Sequence, residues 1–281
     1  MTVLGVDVGG TKIAAGRVTR RVEMDDAMDD AMVEGVIIVE SRAADGFDRS
    51  IASLWSAIEQ TLDSSVEAIG IAAPGPLDPV NGIILNPPNL PGWRDVPLAR
   101  MARERFGLPV RIENDCNAAA LGEARYGAGR GHANVFYAAI GTGIGAGIVF
   151  DGKIYRGAHG LAGEAGHMTV DYRSRKVCGC GSPGCIEALA SGAALARRDS
   201  GAEEFIERIG AWLGGIVSLL DPGVIVLGGG VMLDSRGEDL FAKLREMVPT
   251  RSVNPCAALI PIVPAYFGVQ SGIVGAAVIF E

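Results

Sequence analysis

The chain has 281 residues, 48% of them apolar, and it carries 33 acidic against 25 basic side chains for a net charge of −8. This composition predicts one or two globular domains with a large buried core rather than a disordered chain. The negative net charge argues against a nucleic-acid partner, because binding to a phosphate backbone requires clustered basic side chains.

The first residues, TVLGVDVGG, predict a strand, with no basic and apolar leader before it. We therefore expect no export signal and a cytoplasmic protein, in which thiols stay reduced and a cysteine cluster binds metal or does chemistry. A run without charge from Cys256 to Phe280 is long enough to suggest a membrane span. Pro261, Pro264 and the polar stretch 270–272 interrupt it, so we expect no membrane span and only a short buried helix near its end.

Two segments, 3–18 and 134–157, have the pattern of a strand, a tight glycine turn and a second strand. The pair Gly10–Thr11 of the first recurs as Gly141–Thr142 in the second, which hints that two halves follow one plan. The acidic run 22–35 is interpreted as a solvated loop insertion.

Helices and strands alternate along the rest of the chain, which predicts an α/β protein. The expected elements are, in order, a helix over 46–63, a buried strand from 66 that runs into a Pro-Gly loop, a helix, a strand and a further helix from about Asn117 within 97–127, a helix over 201–221, a strand over 224–230, and a closing strand and helix.

The glycine turns are candidate phosphate-binding loops, because glycine lets backbone N–H groups approach a ligand closely. Neither turn has the spacing of a Walker A loop, and GTGIGA leads into a strand where a dinucleotide-binding turn must open a helix. A single glycine hairpin is more often a plain turn. The presence of two such hairpins is what favours phosphate binding here. A carboxylate followed by such glycines can hold hydrated magnesium beside a triphosphate. The candidate residues are Asp7, Gly9, Gly10, Thr11 and Lys12 in the first loop and Gly141, Thr142 and Gly143 in the second.

Asn114 and Asp115 lie where a predicted strand gives way to a helix, the edge of an α/β sheet where ligands gather. Such pairs more commonly form a turn or a helix cap. Alternatively, Asp115 accepts the proton of a sugar hydroxyl as that oxygen attacks a phosphorus atom.

Residues 178–185, CGCGSPGC, concentrate three of the five cysteines in eight positions. Zinc prefers four nitrogen or sulfur ligands, and His167, which precedes the cluster, is the predicted fourth ligand of a closed structural site. Cys116 and Cys256 are interpreted as ordinary buried thiols. Glu164 and Glu187 flank the cluster and are either exposed charges or acceptors for vicinal hydroxyl groups.

Taken together, these motifs resemble the ROK family (repressors, open reading frames and sugar kinases), which has the actin-like ATPase fold. The matching segments are DVGGTK (7–12), IAAPGPLD (71–78), NPPNLPGW (86–93), ENDCNAAA (113–120), GTGIGAGIV (141–149), GEAGH (163–167), CGCGSPGCIE (178–187) and VIVLGGG (224–230).

The resemblance implies a two-lobed α/β fold, related to ribonuclease H, with duplicated βββαβα halves. The N-terminal lobe would cover 1–115 with a closing helix near 267–281, and the C-terminal lobe would cover 116–266 with a zinc loop at 167–187. It also implies a homodimer.

The implied activity is transfer of the γ-phosphate of ATP to a hexose, with Asp115 as the general base and the 6-hydroxyl of glucose as the expected acceptor. The implied sugar contacts are Asn89, Asn114, Asp115, Glu164, His167 and Glu187. Structural Zn²⁺ would be held by His167, Cys178, Cys180 and Cys185, with the two ring nitrogens of His167 serving metal and sugar. The implied contacts to Mg-ATP are Asp7, Gly10, Thr11, Lys12, Thr142, Gly228, Gly229 and Gly230.

Two departures from the family pattern are the acidic insertion 22–35 and a shortened helical segment near 198–203. Fructose or an N-acetylhexosamine is the alternative substrate. A sugar-responsive repressor is a rival from another class, but it would carry a helix-turn-helix before the first strand, where only Met1 and Thr2 stand. A zinc-stapled sugar-binding protein without catalysis is the third possibility.

Overall fold

The computed structural model describes residues 1–21, 30–197, 201–233 and 237–281, which fold into two compact units. Unit 1 consists of 1–122, 157–161 and 270–281, and unit 2 consists of 123–156 and 162–269.

The described strands fall into two five-stranded sheets and one small hairpin. Their bounds are β1 Thr2–Val8, β2 Lys12–Arg21, β3 Asp30–Glu40, β4 Val66–Ala73, β5 Leu77–Asp78, β6 Ile83–Ile84, β7 Val110–Asn114, β8 Val135–Ile140, β9 Ile144–Phe150, β10 Lys153–Ile154, β11 Val224–Gly228 and β12 Ile262–Pro264.

The α-helices are α1 Phe47–Thr61, α2 Leu98–Phe106, α3 Asp115–Tyr126, α4 Ile186–Ala190, α5 Gly192–Ala196, α6 Ala202–Leu220, α7 Gly237–Met247 and α8 Ser271–Val278. Short 3-10 helices lie at Ala43–Asp45, Ala165–His167, Val248–Arg251, Ala257–Leu259 and Gly268–Gln270.

The sheet of unit 1 has the strand order β3-β2-β1-β4-β7. Strands β1, β2 and β3 form an antiparallel meander, while β4 and β7 run parallel to β1. Apolar side chains such as Leu4, Ile69 and Trp93 are fully buried in its core. Because β1, β4 and β7 are parallel, their carboxyl ends meet at one edge of the sheet.

The sheet of unit 2 repeats this arrangement, with the order β10-β9-β8-β11-β12 and with β11 and β12 parallel to β8. Its core centres on Phe136 and Trp212, whose rings meet edge to face with centroids 5.8 Å apart. The predicted hairpins are confirmed as β1–β2 and β8–β9, and the two units share one strand plan.

Helix α8 packs directly onto the sheet of unit 1. A Cβ at Gly70 would overlap the carbonyl oxygen of Ala276, and one at Gly5 would overlap that of Ile273. Only glycine therefore permits this close approach of helix backbone to strand backbone. The expected short buried helix is confirmed, and within the described residues no helix is long and apolar enough to cross a membrane.

Three expectations need correction. Residues 30–35 of the acidic run belong to β3 rather than to a loop, because an edge strand with one partner tolerates exposed charge. The rest of that run, 22–29, lies outside the described residues, as do 198–200 of the shortened segment. Helix α3 begins at Asp115 rather than near Asn117, and Cys256 is exposed rather than buried, since it lies in a surface turn before a 3-10 helix.

Candidate active site and metal centre

Two carboxylates of unit 1 lie at the edge where the parallel strands end. Asp7 is the penultimate residue of β1, and Asp115 follows β7 directly as the first residue of α3. The pKa of Asp7 is raised from 3.8 to about 7, mainly by burial and secondly by the negative charge of Asp115, while the Lys12 ammonium opposes the rise. The two acidic groups are thus close enough to interact electrostatically.

Burial also raises the pKa of Asp115, against the opposing effect of hydrogen bonds from Cys116 and Asn114. The backbone N–H of Cys116 donates to Asp115 Oδ1 at 2.8 Å. Asn114 has the capping role common for such a residue, because its Oδ1 accepts the N–H groups of Cys116 at 3.0 Å and Asn117 at 3.1 Å. The cap fixes the start of α3 and with it the position of Asp115.

The β1–β2 hairpin is closed by backbone bonds and by one buried serine. The N–H of Gly9 donates to the carbonyl of Lys12 at 2.9 Å. Ser41, which is fully buried, donates its N–H to Thr11 at 3.0 Å and its hydroxyl to Gly10 at 2.7 Å. Thr11 and Lys12 remain exposed at the tip.

The loop that carries Asn89 lies against this hairpin. The carbonyl oxygen of Asn89 would be 2.8 Å from a Cβ placed on Gly10, and the residue itself is exposed. Unit 1 therefore gathers the candidate residues of its glycine loop and Asn89 in one place.

The β8–β9 hairpin is held by the segment that follows the cysteines. The N–H of Gly141 donates to the carbonyl of Gly143 at 2.9 Å, which closes the turn. The first residues of α5 donate into it, Gly192 to the carbonyl of Gly141 at 2.6 Å and Ala193 to that of Thr142 at 3.3 Å.

The glycine turn after β11 joins this hairpin through the N–H of Val231, which donates to the carbonyl of Ile140 at 3.0 Å. Gly229 adopts a φ of 85°, in the left-handed region, and Gly230 is exposed. Unit 2 therefore brings the stretch 228–230 next to the 141–143 turn.

The predicted metal ligands converge in unit 2. The ligand atoms of His167, Cys178, Cys180 and Cys185 all lie within 4.8 Å of one another. Cys178 Sγ is 3.4 Å from His167 Nδ1, and Cys180 Sγ is 3.7 Å from Cys185 Sγ.

The 3.4 Å and 3.7 Å separations fit a tetrahedral zinc site. With Zn–S bonds of about 2.3 Å and a Zn–N bond of about 2.0–2.1 Å, the edges of the tetrahedron are roughly 3.8 Å between sulfurs and roughly 3.6 Å between sulfur and nitrogen. In the chain alone, burial raises the pKa of the Cys178 thiol to about 12, so a metal ion must displace protons to bind.

The two glutamates contact His167 from different sides. Glu164 Oε2 lies 3.7 Å from Nε2, whereas Cys178 lies at the other ring nitrogen, and 59% of the Glu164 side chain is exposed. Glu187 Oε1 lies 4.0 Å from Nδ1 and 3.3 Å from Cys178 Sγ, while its Oε2 accepts the N–H of Ile144 at 2.9 Å. The Glu164 side chain is thus largely exposed, whereas Glu187 is tied into the structure.

Sequence reasoning missed Ser41, which braces the first hairpin, and the bond from Ile144 to Glu187, which braces the second. Both contacts join distant positions, and neither has a local spacing that could have indicated it. It also missed Glu123, a fully buried carboxylate that accepts the N–H groups of Ala128 at 2.9 Å, Tyr266 at 3.0 Å and Phe267 at 3.1 Å.

The chain is similar to known proteins over its full length. The model of the ROK family matches residues 3–208 and 197–281. A glucokinase from Thermotoga maritima is 29% identical over 321 residues, covering 100% of this chain and 98% of that protein. A solved ROK family glucokinase from Streptomyces griseus, in complex with glucose and AMPPNP, is 31% identical with a TM-score of 0.82, covering 99% of this chain and 98% of that one. The expected actin-like ATPase fold is confirmed.

A protein of another class matches over a shorter stretch. The xylose repressor of Bacillus spizizenii is 46% identical over 127 residues, which is 45% of this chain and 32% of the repressor. The chain is therefore similar both to enzymes and to a regulator.

Proposed function

This chain belongs to the ROK family, and from that premise we propose that it transfers the γ-phosphate of ATP to the 6-hydroxyl of a hexose, with glucose as the expected substrate. Full-length similarity to glucokinases supports a sugar kinase. We also propose that it acts in the cytoplasm as a homodimer.

The observation that carries the proposal is the raised pKa of Asp115, a carboxylate held at the strand-end edge of its sheet. A general base works best when its pKa lies near the operating pH, and burial moves Asp115 in that direction. In the proposed step, Asp115 accepts the proton of the 6-hydroxyl as that oxygen attacks the γ-phosphorus. The bond to the ADP oxygen breaks, and sugar 6-phosphate and ADP are the products.

The proposed hexose contacts are those that the family resemblance implies, namely Asn89, Asn114, Asp115, Glu164, His167 and Glu187. His167 suits a double role because its Nδ1 faces the Cys178 thiol and its Nε2 faces Glu164. We assign Zn²⁺ to His167 and the three cysteines, where it would fix the loop that carries these side chains.

The proposed nucleotide contacts are the glycine turns at 9–12, 141–143 and 228–230, with Asp7 as the carboxylate that holds hydrated Mg²⁺. When bound, Mg²⁺ neutralises charge on the phosphates. Exposed residues at both hairpin tips, Thr11, Lys12 and Thr142, support this assignment.

The test is a coupled assay with ATP and a panel of glucose, mannose, fructose and N-acetylhexosamines. We expect Asp115→Ala and Asp115→Asn to lower kcat by a factor of about 100 to 10,000, the usual loss for a positioned base. Asp45→Ala, at an exposed surface ion pair with Arg42, serves as the matched control and should keep full activity. Phosphorylation of no sugar by the wild type, or full activity in Asp115→Ala, would refute the proposal.

Similarity to the xylose repressor favours a sugar-responsive regulator as the second candidate. The net charge of −8 weighs against DNA binding. Tight, sequence-dependent binding to DNA at low salt, together with no phosphorylation of any sugar, would establish this candidate instead.

A further inference from the structure

Glu187 has two carboxylate oxygens that face two different parts of unit 2. Oε1 lies 3.3 Å from Cys178 Sγ, within the cysteine cluster. Oε2 accepts the backbone N–H of Ile144 at 2.9 Å, at the end of the β8–β9 hairpin. A single side chain thus spans from the candidate metal ligands to the candidate nucleotide loop.

The residues that follow Glu187 also contact the β8–β9 hairpin. Ser191 caps α5 by accepting the N–H of Ala194 at 3.3 Å, and this places the N–H of Gly192 2.6 Å from the carbonyl of Gly141 and that of Ala193 3.3 Å from the carbonyl of Thr142. The hairpin is therefore held at 141, 142 and 144 by the segment that begins at Cys185.

Gly143, the last residue of the turn, makes room for the carboxylate. A Cβ at this position would lie 2.5 Å from Glu187 Oε2, closer than a side chain atom can approach. Glycine here serves the contact with Glu187 as well as the turn.

We infer that Glu187 is a positioning residue that couples the cysteine cluster to the nucleotide-binding conformation of the β8–β9 hairpin. The inference rests on the proposed function only in assigning nucleotide to that hairpin. It differs from a role as a sugar contact, because Glu187 then acts through the Ile144 amide and affects nucleotide binding when no hexose is present.

The physical basis is a charge-assisted hydrogen bond in a half-buried setting, with 25% of the Glu187 side chain exposed. With the bond made, the hairpin N–H groups hold one arrangement before the nucleotide arrives. Without it, the glycine-rich turn samples other conformations, and nucleotide binding must supply the ordering.

The experiment compares the zinc-loaded wild type with Glu187→Ala, Glu187→Gln and Glu164→Ala. Two readouts are amide hydrogen exchange of the peptide spanning 138–148 and the affinity for MgADP without hexose. In Glu187→Ala we expect exchange at the Ile144 amide and the Kd for MgADP to rise about tenfold, the usual effect of losing one hydrogen bond to a charged group. Glu187→Gln keeps an acceptor oxygen and should retain most of the protection of the Ile144 amide and most of the affinity for MgADP. Glu164→Ala, which removes the glutamate on the opposite edge of His167, should change neither.

Unchanged exchange at Ile144 in Glu187→Ala, or an equal increase in Glu164→Ala, would overturn the inference. If Glu187→Ala does not fold, the wild type is compared with and without a zinc chelator; faster exchange in 138–148 supports the coupling, and no change overturns it. A wild type that binds no MgADP would refute the proposed kinase, while the exchange comparison would still decide the role of Glu187.

Discussion

The two glycine hairpins share a strand plan but are supported in different ways. The last pair of β1–β2 is Val8–Ile13 and that of β8–β9 is Ile140–Ile144, so the second turn is one residue shorter. Before the last pair, the first hairpin carries Asp7 and the second carries Ala139. The second obtains its carboxylate from outside the sheet, from Glu187.

The surroundings differ accordingly. Asp7 Oδ2 lies 2.5 Å from the position of a Cβ on Gly272, so α8 packs against the first carboxylate. The second hairpin instead contacts the segment that follows the cysteine loop, and the side chains of that loop are suited to a metal ion. The first hairpin is thus supported by close packing between helix and sheet, whereas the second is supported by the segment that carries the candidate metal ligands.

Removal of the proposed zinc should produce the largest difference in amide exchange between the two hairpins. For chelation or Cys180→Ser, we expect zinc to fall from about one per chain to none and the free energy of unfolding of unit 2 to drop by about 5 kcal/mol. This loss is smaller than the roughly 10 kcal/mol of isolated zinc peptides because unit 2 keeps its apolar core. Amide exchange should rise in β8–β9 and not in β1–β2.

Cys256→Ser is the matched control, since Cys256 is exposed and lies outside the cluster. If amide exchange rises equally in both hairpins after chelation, or if the purified protein holds no zinc, the prediction that zinc stabilises only the second hairpin is wrong.

The charge of Asp7 should affect the stability of unit 1 and not that of unit 2. Its pKa of about 7 in the folded chain, against 3.8 unfolded, means that the folded state holds this proton more tightly. Stability from this group is therefore full below about pH 4 and is lost as pH rises through about 7.

In magnesium-free buffer, Asp7→Asn should be more stable than the wild type at pH 8 by up to about 4 kcal/mol. The difference should vanish near pH 4. Denaturant unfolding at both pH values measures it, and a constant difference between the two would refute the assigned shift.

Packing of α8 provides the third comparison. Gly70→Ala would force α8 away from β4, and we expect a loss of about 3 kcal/mol in the stability of unit 1, with unit 2 unaffected. Gly215→Ala is the control, because at this exposed position in α6 the added Cβ would have no described atom within 4 Å apart from its own helix. There, alanine should stabilise by about 0.5–1 kcal/mol. Thermal unfolding of both variants measures the contrast, and a neutral Gly70→Ala would contradict it.

The sequence allowed prediction of features that depend on nearby residues. Alternating apolar positions around glycine predicted both hairpins, and the spacing of Cys178, Cys180 and Cys185 predicted the cluster because these residues lie on one short loop. The start of α3 was misplaced because the capping side chain, Asn114, stands at the end of a strand.

Contacts between distant positions could not be predicted in this way. Gly70 gives no local sign that it receives Ala276, and Ile144 gives none that its amide bonds to Glu187, 43 residues away. The motifs therefore located the candidate residues, while the supports that hold them became visible only in three dimensions.

The packing of α8 has a consequence for the order of events during biosynthesis. Strands β1 and β4 leave the ribosome early, but the helix that covers Gly5 and Gly70 is synthesised only with residues 271–278. By then the long stretch of unit 2, 162–269, has already been translated. We therefore expect the second unit of the nascent chain to complete its core first and the N-terminal sheet to wait, partly uncovered and in need of protection from aggregation, for the last helix.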